Sequence, residues 1–193
     1  IAGAALRHIP IGHDDQGTFS TESFMEQLHR AVKHSVPKPS AVVLNFPANP
    51  TSLVVDLAFY QEVVDFCRKH EIYVLSDIAY SEIYFDGNPP PSILQCKGAK
   101  DIAVEFYSLS KTYSMAGWRI GFATGNKKLI NALTRIKSYL DYGAFTPVQV
   151  AATAALNGPQ DCVEEFRNLY RERRDIFIEG ALSAGWEIPS PAA

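Results

Sequence analysis

Hydrophobic and polar positions change period several times along the chain. Residues 41–46 are an almost continuous apolar run broken only by Asn45, and residues 72–75 and 102–107 form similar runs. Short unbroken runs of this kind predict strands buried on both faces. Between them the spacing becomes helical. Thr21 reads as an N-cap ahead of a stripe of Phe24, Leu28 and Val32 that ends before Pro37, and Asp56 caps a helix in which Leu57, Tyr60, Val63, Val64 and Cys67 face one way. On that stripe Cys67 is a packing residue. Further on, Leu129, Leu133, Ile136 and Leu140 predict a helix over 127–140. Thr146-Pro147 opens another that runs through Ala155 and ends at Gly158, and Phe166, Leu169, Ile176 and Ile178 mark a long amphipathic helix over 162–182. Residues 5–11 alternate as an opening strand would, residues 120–124 read as a further strand, and Trp186 reads as the start of one.

Strands alternating with helices predict an α/β fold, a mostly parallel sheet with helices on both faces. The run at 72–75 then delivers Ser76 and Asp77 to a strand's carboxyl end, where open α/β sheets place their ligands. The glycines at 117, 121 and 125 do not form G-x-G-x-x-G, which leaves a dinucleotide site unsupported and makes close backbone packing their expected role.

The chemistry concentrates in residues 107–125, YSLSKTYSMAGWRIGFATG, where Lys111 stands among serines and an arginine between two apolar runs. A lysine held between buried strands is expected to be desolvated, and desolvation favours the neutral amine that attacks an aldehyde. The hydroxyls of Ser108 and Ser110 and the planar fork of Arg119 suit a phosphate. Pyridoxal 5′-phosphate carries both an aldehyde and a phosphate. It also needs a carboxylate paired with its ring nitrogen. Asp77 is the candidate, with a helix N-cap as the alternative reading, and a helical turn over 78–82 would set Tyr80 on the same face. On its own, S-x-S-K also reads as a surface turn, and Asn49-Pro50 as a simple turn.

SLSKTYSMAGWRIGF resembles the lysine segment of the class I/II aminotransferases, the fold-type I pyridoxal-phosphate enzymes. The resemblance runs through nearly the whole chain: NFPANPTS around Asn49, LSDIAYSE around Asp77 and Arg119 eight residues after Lys111 follow in the family's order. It implies the α/β/α sandwich of the family's large domain. Lys111 would be the catalytic residue that holds the cofactor as a Schiff base and then moves the substrate proton. Asp77 would meet the ring nitrogen, Asn49 and Tyr80 the phenolate oxygen, and Ser108, Ser110 and Arg119 the phosphate. Ser52 stands where the family often has glycine. KSYLDYGAFTPVQVAATAAL looks most like the subgroup with alanine and LL-diaminopimelate aminotransferases, which implies transamination between an amino acid and a 2-oxo acid of the alanine/glutamate type, in a homodimer. A carbon-sulfur β-lyase and a non-catalytic pyridoxal-phosphate-sensing domain of a transcriptional regulator are the alternatives.

Family members are longer than this chain, so it reads as a fragment: residues 1–165 as an N-terminally truncated cofactor-binding large domain, and 166–193 as a linking helix and the start of a small domain. The segment completing the phosphate cup, the aromatic that stacks on the ring and the arginine for the substrate carboxylate have no counterpart here, so the fragment alone is expected to be nearly inactive.

Composition narrows the picture further. At 193 residues and 47% hydrophobic content the chain can bury one sizeable core. A net charge of −3, with RERR at 171–174 as its one basic run, gives no footprint for nucleic acid or an anionic membrane. No apolar run approaches the roughly 20 residues of a membrane span. Cys67, Cys96 and Cys162 are scattered, and His8, His13, His29, His34 and His70 form no cluster, which argues against disulfides and against a metal site. The expected compartment is the cytoplasm.

Overall fold

Four of the apolar runs pair into one sheet. The strands are β1 (Ala41–Asn45), β2 (Tyr73–Asp77), β3 (Ala103–Ser108) and β4 (Gly121–Gly125), in the order β1-β2-β3-β4. The first three are parallel and β4 returns antiparallel to β3. Asn45 therefore stands beside Asp77, Asp77 beside Phe106, and Ser108 beside Gly121. This computed structural model describes residues 3–12 and 19–193, so His13 lies outside the described residues.

Helices α1 (Thr21–Lys33) and α2 (Leu57–Lys69) follow the predicted stripes. The cap of α1 is Ser20 rather than Thr21: the Ser20 hydroxyl accepts from Ser23 N at 3.1 Å, leaving Thr21 as the first helical residue. Asp56 caps α2 as expected, accepting from Phe59 N at 2.8 Å. Phe24, Met25 and Leu28 of α1, with Phe59, Tyr60, Val63, Val64 and Cys67 of α2, pack on Val42, Leu44, Val74 and Ala103 of the sheet. Each side chain fully buried in this way contributes roughly 1.5–3 kcal/mol over its exposed state. Edge-on rings tie the layer together, with the Phe24 and Phe59 centroids 5.1 Å apart. On the opposite face of the sheet Val43 and Phe106 are exposed.

A buried carboxylate fastens one connection to this core. Glu105, in the middle of β3, is 3% exposed and accepts from the Ser92 hydroxyl and from Ile93 N, both at 2.8 Å. It thereby holds the single-turn 3-10 helix Ile93–Gln95 against the sheet.

The chain continues through α3 (Leu109–Thr112), a single helical turn where the sequence suggested only a polar turn, and then through α4 (Lys127–Leu140), α5 (Thr146–Asn157) and α6 (Asp161–Ser183), which match the predicted helices within a residue or two. Asn126 caps α4 by accepting from Leu129 N at 3.0 Å. Leu109, Met115 and Ala152 form a second, smaller cluster that joins the lysine segment to α5. Two predicted strands do not form. Residues 5–11 are mostly exposed and pair with no strand among the described residues, and Trp186 sits in an exposed irregular tail. Alternation suits an edge but does not supply the neighbouring strand that must accept its hydrogen bonds.

Candidate active site

The ends of β1, β2 and β3 gather most of the residues singled out in the sequence. Asn45, the one polar break in its apolar run, occupies the last position of β1 and binds in both directions. Its Nδ2 donates to the Asp77 carbonyl at 3.3 Å, and its Oδ1 accepts from Asn49 N at 3.0 Å. The loop after β1 is closed by Ser52 N donating to Ala48 O at 2.8 Å and Ala48 N to Leu53 O at 3.0 Å. Ser52 adopts φ 57°, the left-handed region that favours glycine. So placed, Asn49 reaches across to β2, and its Nδ2 donates to the Tyr80 hydroxyl oxygen at 2.9 Å.

Tyr80 is carried by a turn that Asp77 begins. Asp77 Oδ1 accepts from Ala79 N at 3.1 Å, Ser81 N donates to Ile78 O at 3.0 Å, and Ile83 N to Tyr80 O at 3.0 Å. Ile78 N donates to Phe106 O at 3.0 Å, which extends the β2–β3 pairing by one step and fixes where the turn begins. Asp77 thus does serve a local capping role through one oxygen while its side chain remains exposed at the strand end. Turn geometry and availability to a ligand coexist in this residue.

Lys111 lies on α3, a single turn leaving the end of β3. Ser108 caps it, accepting from Ser110 N at 3.2 Å. Leu109 and Thr112 are its buried anchors, and Thr112 shares a 2.6 Å hydrogen bond with the Tyr107 hydroxyl. Burial pushes the Tyr107 phenol up to about 12, so it remains a neutral hydrogen-bonding group. Its ring stacks on Phe122 with centroids 4.8 Å apart, a further brace for the segment. Between those anchors Lys111 faces outward, with Nζ 5.4 Å from the centre of the Tyr80 ring, within cation–π range. The expectation of a desolvated lysine between buried strands is not met: Lys111 is exposed. The strand ends before it, and the Tyr80 ring approaches its amine from another element.

Arg119 reaches the same end of the sheet by the return path. A 3-10 turn, Ala116–Trp118, precedes it, its own φ is 52°, and its guanidinium donates to Ala116 O at 3.1 Å. Two residues later Gly121 pairs with Ser108, and Leu109 N donates to Ile120 O at 3.2 Å. A Cβ on Gly121 would lie 2.4 Å from Tyr107 O, and one on Gly125 would lie 2.4 Å from Ala103 O. Both glycines therefore allow the close approach of β4 to β3, as the sequence led one to expect; Gly117 has nothing within 4 Å and plays no such part. Ser108, Ser110 and Arg119 share one end of this β3–β4 pair, although the Arg119 fork is turned to its own backbone.

A cleft of about 270 Å³ opens on the exposed face, lined by Val43, Leu75, Asp77, Phe106, Tyr107 and Ser108. It sets the Asp77 carboxylate and the Ser108 cap at one apolar hollow. Sequence reasoning missed Asn45, whose signal was its lone polarity inside the run, and the Tyr107–Thr112 pair, whose members lie five residues apart on either side of the strand end.

The chain is 48% identical over 193 residues to the glutamate-pyruvate aminotransferase AlaC of Escherichia coli K12, covering 100% of this chain and 45% of that protein. Over 174 residues it is 47% identical to the LL-diaminopimelate aminotransferase of Moorella thermoacetica, covering 90% of this chain and 45% of the relative. Among solved structures, substrate-bound BacF from Bacillus subtilis superposes with a TM-score of 0.78 at 39% identity, over 80% of this chain and 39% of that one. The chain thus spans about half the length of the curated relatives it matches. With a family model matched across residues 1–193, it belongs to the class I and II aminotransferases.

Proposed function

We propose that the protein containing this chain is a pyridoxal-phosphate-dependent aminotransferase that moves an amino group between an amino acid and a 2-oxo acid, of the alanine/glutamate type. The observation that carries the reading is the Asn49–Tyr80 hydrogen bond of 2.9 Å, beside a lysine whose amine stands 5.4 Å from the same tyrosine ring. The donor set fits the cofactor: an amine for its aldehyde, a carboxylate for its ring nitrogen, an amide–phenol pair for its phenolate oxygen, and hydroxyls with an arginine for its phosphate. Bound there, pyridoxal phosphate supplies an aldehyde for covalent attachment and a ring that accepts electrons from the substrate carbon.

The residues act on it in distinct ways. Lys111 would provide the attaching amine and would serve as the base that moves the proton from the substrate Cα. Asp77 would keep a proton on the ring nitrogen by pairing its carboxylate there. Asn49 and Tyr80 would donate to the phenolate oxygen. Ser108, Ser110 and Arg119 would hold the phosphate, for which Arg119 would leave its contact with Ala116 O.

We assign residues 1–165 to the cofactor-binding domain and 166–193 to a helix leading to a second domain. The working form is a homodimer. Ile136, Tyr139, Leu140, Tyr142, Phe145 and Val150 are all exposed along α4, the following loop and α5, an apolar stretch of the kind that a second copy covers. The cytoplasm is the proposed compartment. Cys67, Cys96 and Cys162 are free, and no helix among the described residues is long and apolar enough to cross a membrane.

Borohydride reduction of the full-length protein with its cofactor, followed by peptide mapping, tests the anchor. The label is expected on Lys111, and a label on Lys97 or Lys127 would overturn the assignment. A coupled assay with alanine and 2-oxoglutarate tests the substrate class.

A further inference from the structure

Helix α6 grips the chain beyond Tyr80 in two places. Arg167 donates through Nε to Glu82 O at 3.1 Å and through a terminal nitrogen to the Glu82 carboxylate at 3.3 Å, and its guanidinium lies 4.0 Å from the centre of the Tyr84 ring. Two turns later Arg174 meets both oxygens of Asp86, at 2.8 and 3.2 Å, and lies 4.5 Å from the Phe85 ring centre. Both arginine side chains are largely buried, at 17% and 10% exposure. Their contacts span 85 and 88 residues of sequence. Local propensity does not account for them.

The Arg167 contacts bracket one residue. Ile83 donates from its backbone N to the Tyr80 carbonyl, and its two neighbours, Glu82 and Tyr84, are the ones Arg167 holds. Glu164, one turn back on α6, holds the other terminal nitrogen of Arg167 and so pre-orients the fork. From this geometry we propose that Arg167 is a positioning residue for the Tyr80 hydroxyl, coupling helix α6 to the cofactor site. The proposal rests on the aminotransferase reading above for what Tyr80 touches, but not for the mechanical link itself. A lysine could keep the charge at this position. It could not reproduce a planar group that donates along two edges while stacking on a ring.

The test uses the full-length protein with Arg167→Lys, Arg167→Ala, Tyr80→Phe, the Arg167→Lys/Tyr80→Phe double variant, and Arg171→Ala as an exposed control on the same helix. Equilibrium dialysis reads the affinity for pyridoxal phosphate, and the visible absorption band at fixed pH reads the environment of the bound group. Arg167→Lys is expected to weaken binding about tenfold and to move the band in the same direction as Tyr80→Phe, with the double variant little worse than Tyr80→Phe because the two changes act through one contact. Arg171→Ala should leave both readouts unchanged. Independent, multiplying losses in the double variant, or an unmoved band in Arg167→Lys, would overturn the proposal. If Arg167→Ala does not fold, Arg167→Lys decides. Should the unaltered protein take up no pyridoxal phosphate, the functional reading fails by itself. Amide hydrogen exchange over residues 79–84 of the cofactor-free protein then judges the link: faster exchange in Arg167→Lys supports it, and unchanged exchange overturns it.

Discussion

Removing the Glu105 carboxylate should unlock a connection rather than simply open a hole. In Glu105→Ala, the Ser92 hydroxyl and Ile93 N both lose their acceptor. Each buried donor left unsatisfied costs about 1–3 kcal/mol, and with the space left in a packed layer the total is about 3–6 kcal/mol. Set against a typical domain stability of about 5–15 kcal/mol, that is enough to make folding marginal. Glu105→Gln keeps the shape: its carbonyl can accept from Ile93 N and its amide can donate to the Ser92 oxygen, for a cost of about 1 kcal/mol. The two variants should therefore separate widely in urea titrations of the cofactor-free protein at fixed concentration.

The pH dependence gives an independent sign. Burial raises the Glu105 carboxyl above its ordinary range, while the bonds from Ser92, Ile93 and Leu94 pull it partly back. A folded-state value above the unfolded one means that the folded protein holds this proton more tightly. The stabilising contribution is complete below the ordinary carboxylate value and is lost as pH rises through the raised one. The stability difference between the unaltered protein and Glu105→Gln should thus shift against the former as pH rises through that window. If Glu105→Ala costs less than about 1 kcal/mol, water has replaced the carboxylate and the anchoring argument fails.

Two further outcomes are expected. Asp77→Asn should keep the fold, since an amide oxygen can still accept from Ala79 N, yet lower the rate of the full-length enzyme about a thousandfold by removing the charge at the ring nitrogen; steady-state kinetics showing less than about a tenfold loss would leave Asp77 as a turn residue only. Asp56→Ala should destabilise by about 1 kcal/mol through loss of the α2 cap, read as a lower urea midpoint with an unchanged slope.

The elements readable from sequence were those whose cause is local. Helix α4 spans the predicted residues because four apolar positions and an asparagine cap suffice to define it, and β1 appears because its short apolar run gives Val42 and Leu44 a face to bury under the helices, although Val43 on the other face stays exposed rather than buried as the run suggested. The failures are tertiary. Residues 5–11 had the alternation of a strand and no strand partner among the described residues, and Lys111 had apolar runs on either side in sequence but emerges from a turn into the open. Asn45 gained its role from the register that sets it beside Asp77, and Arg167 from a contact 85 residues away. The candidate site residues could be proposed from sequence because spacing and residue type, Lys111 with Ser108, Ser110 and Arg119, describe a chemistry before they describe a shape.

The antiparallel return of β4 divides the site by how far the chain must travel to build it. Lys111, Ser108, Ser110 and Arg119 lie within one short excursion between the paired residues Ser108 and Gly121, whose closure is entropically inexpensive and rapid. Asn49 and Tyr80 meet across 31 residues, through parallel strands that need a helical crossover. The half proposed to hold the phosphate therefore assembles from nearby chain, while the half proposed to hold the ring waits on long-range strand pairing. Damage to β1 or α2 should erase the second while sparing the first.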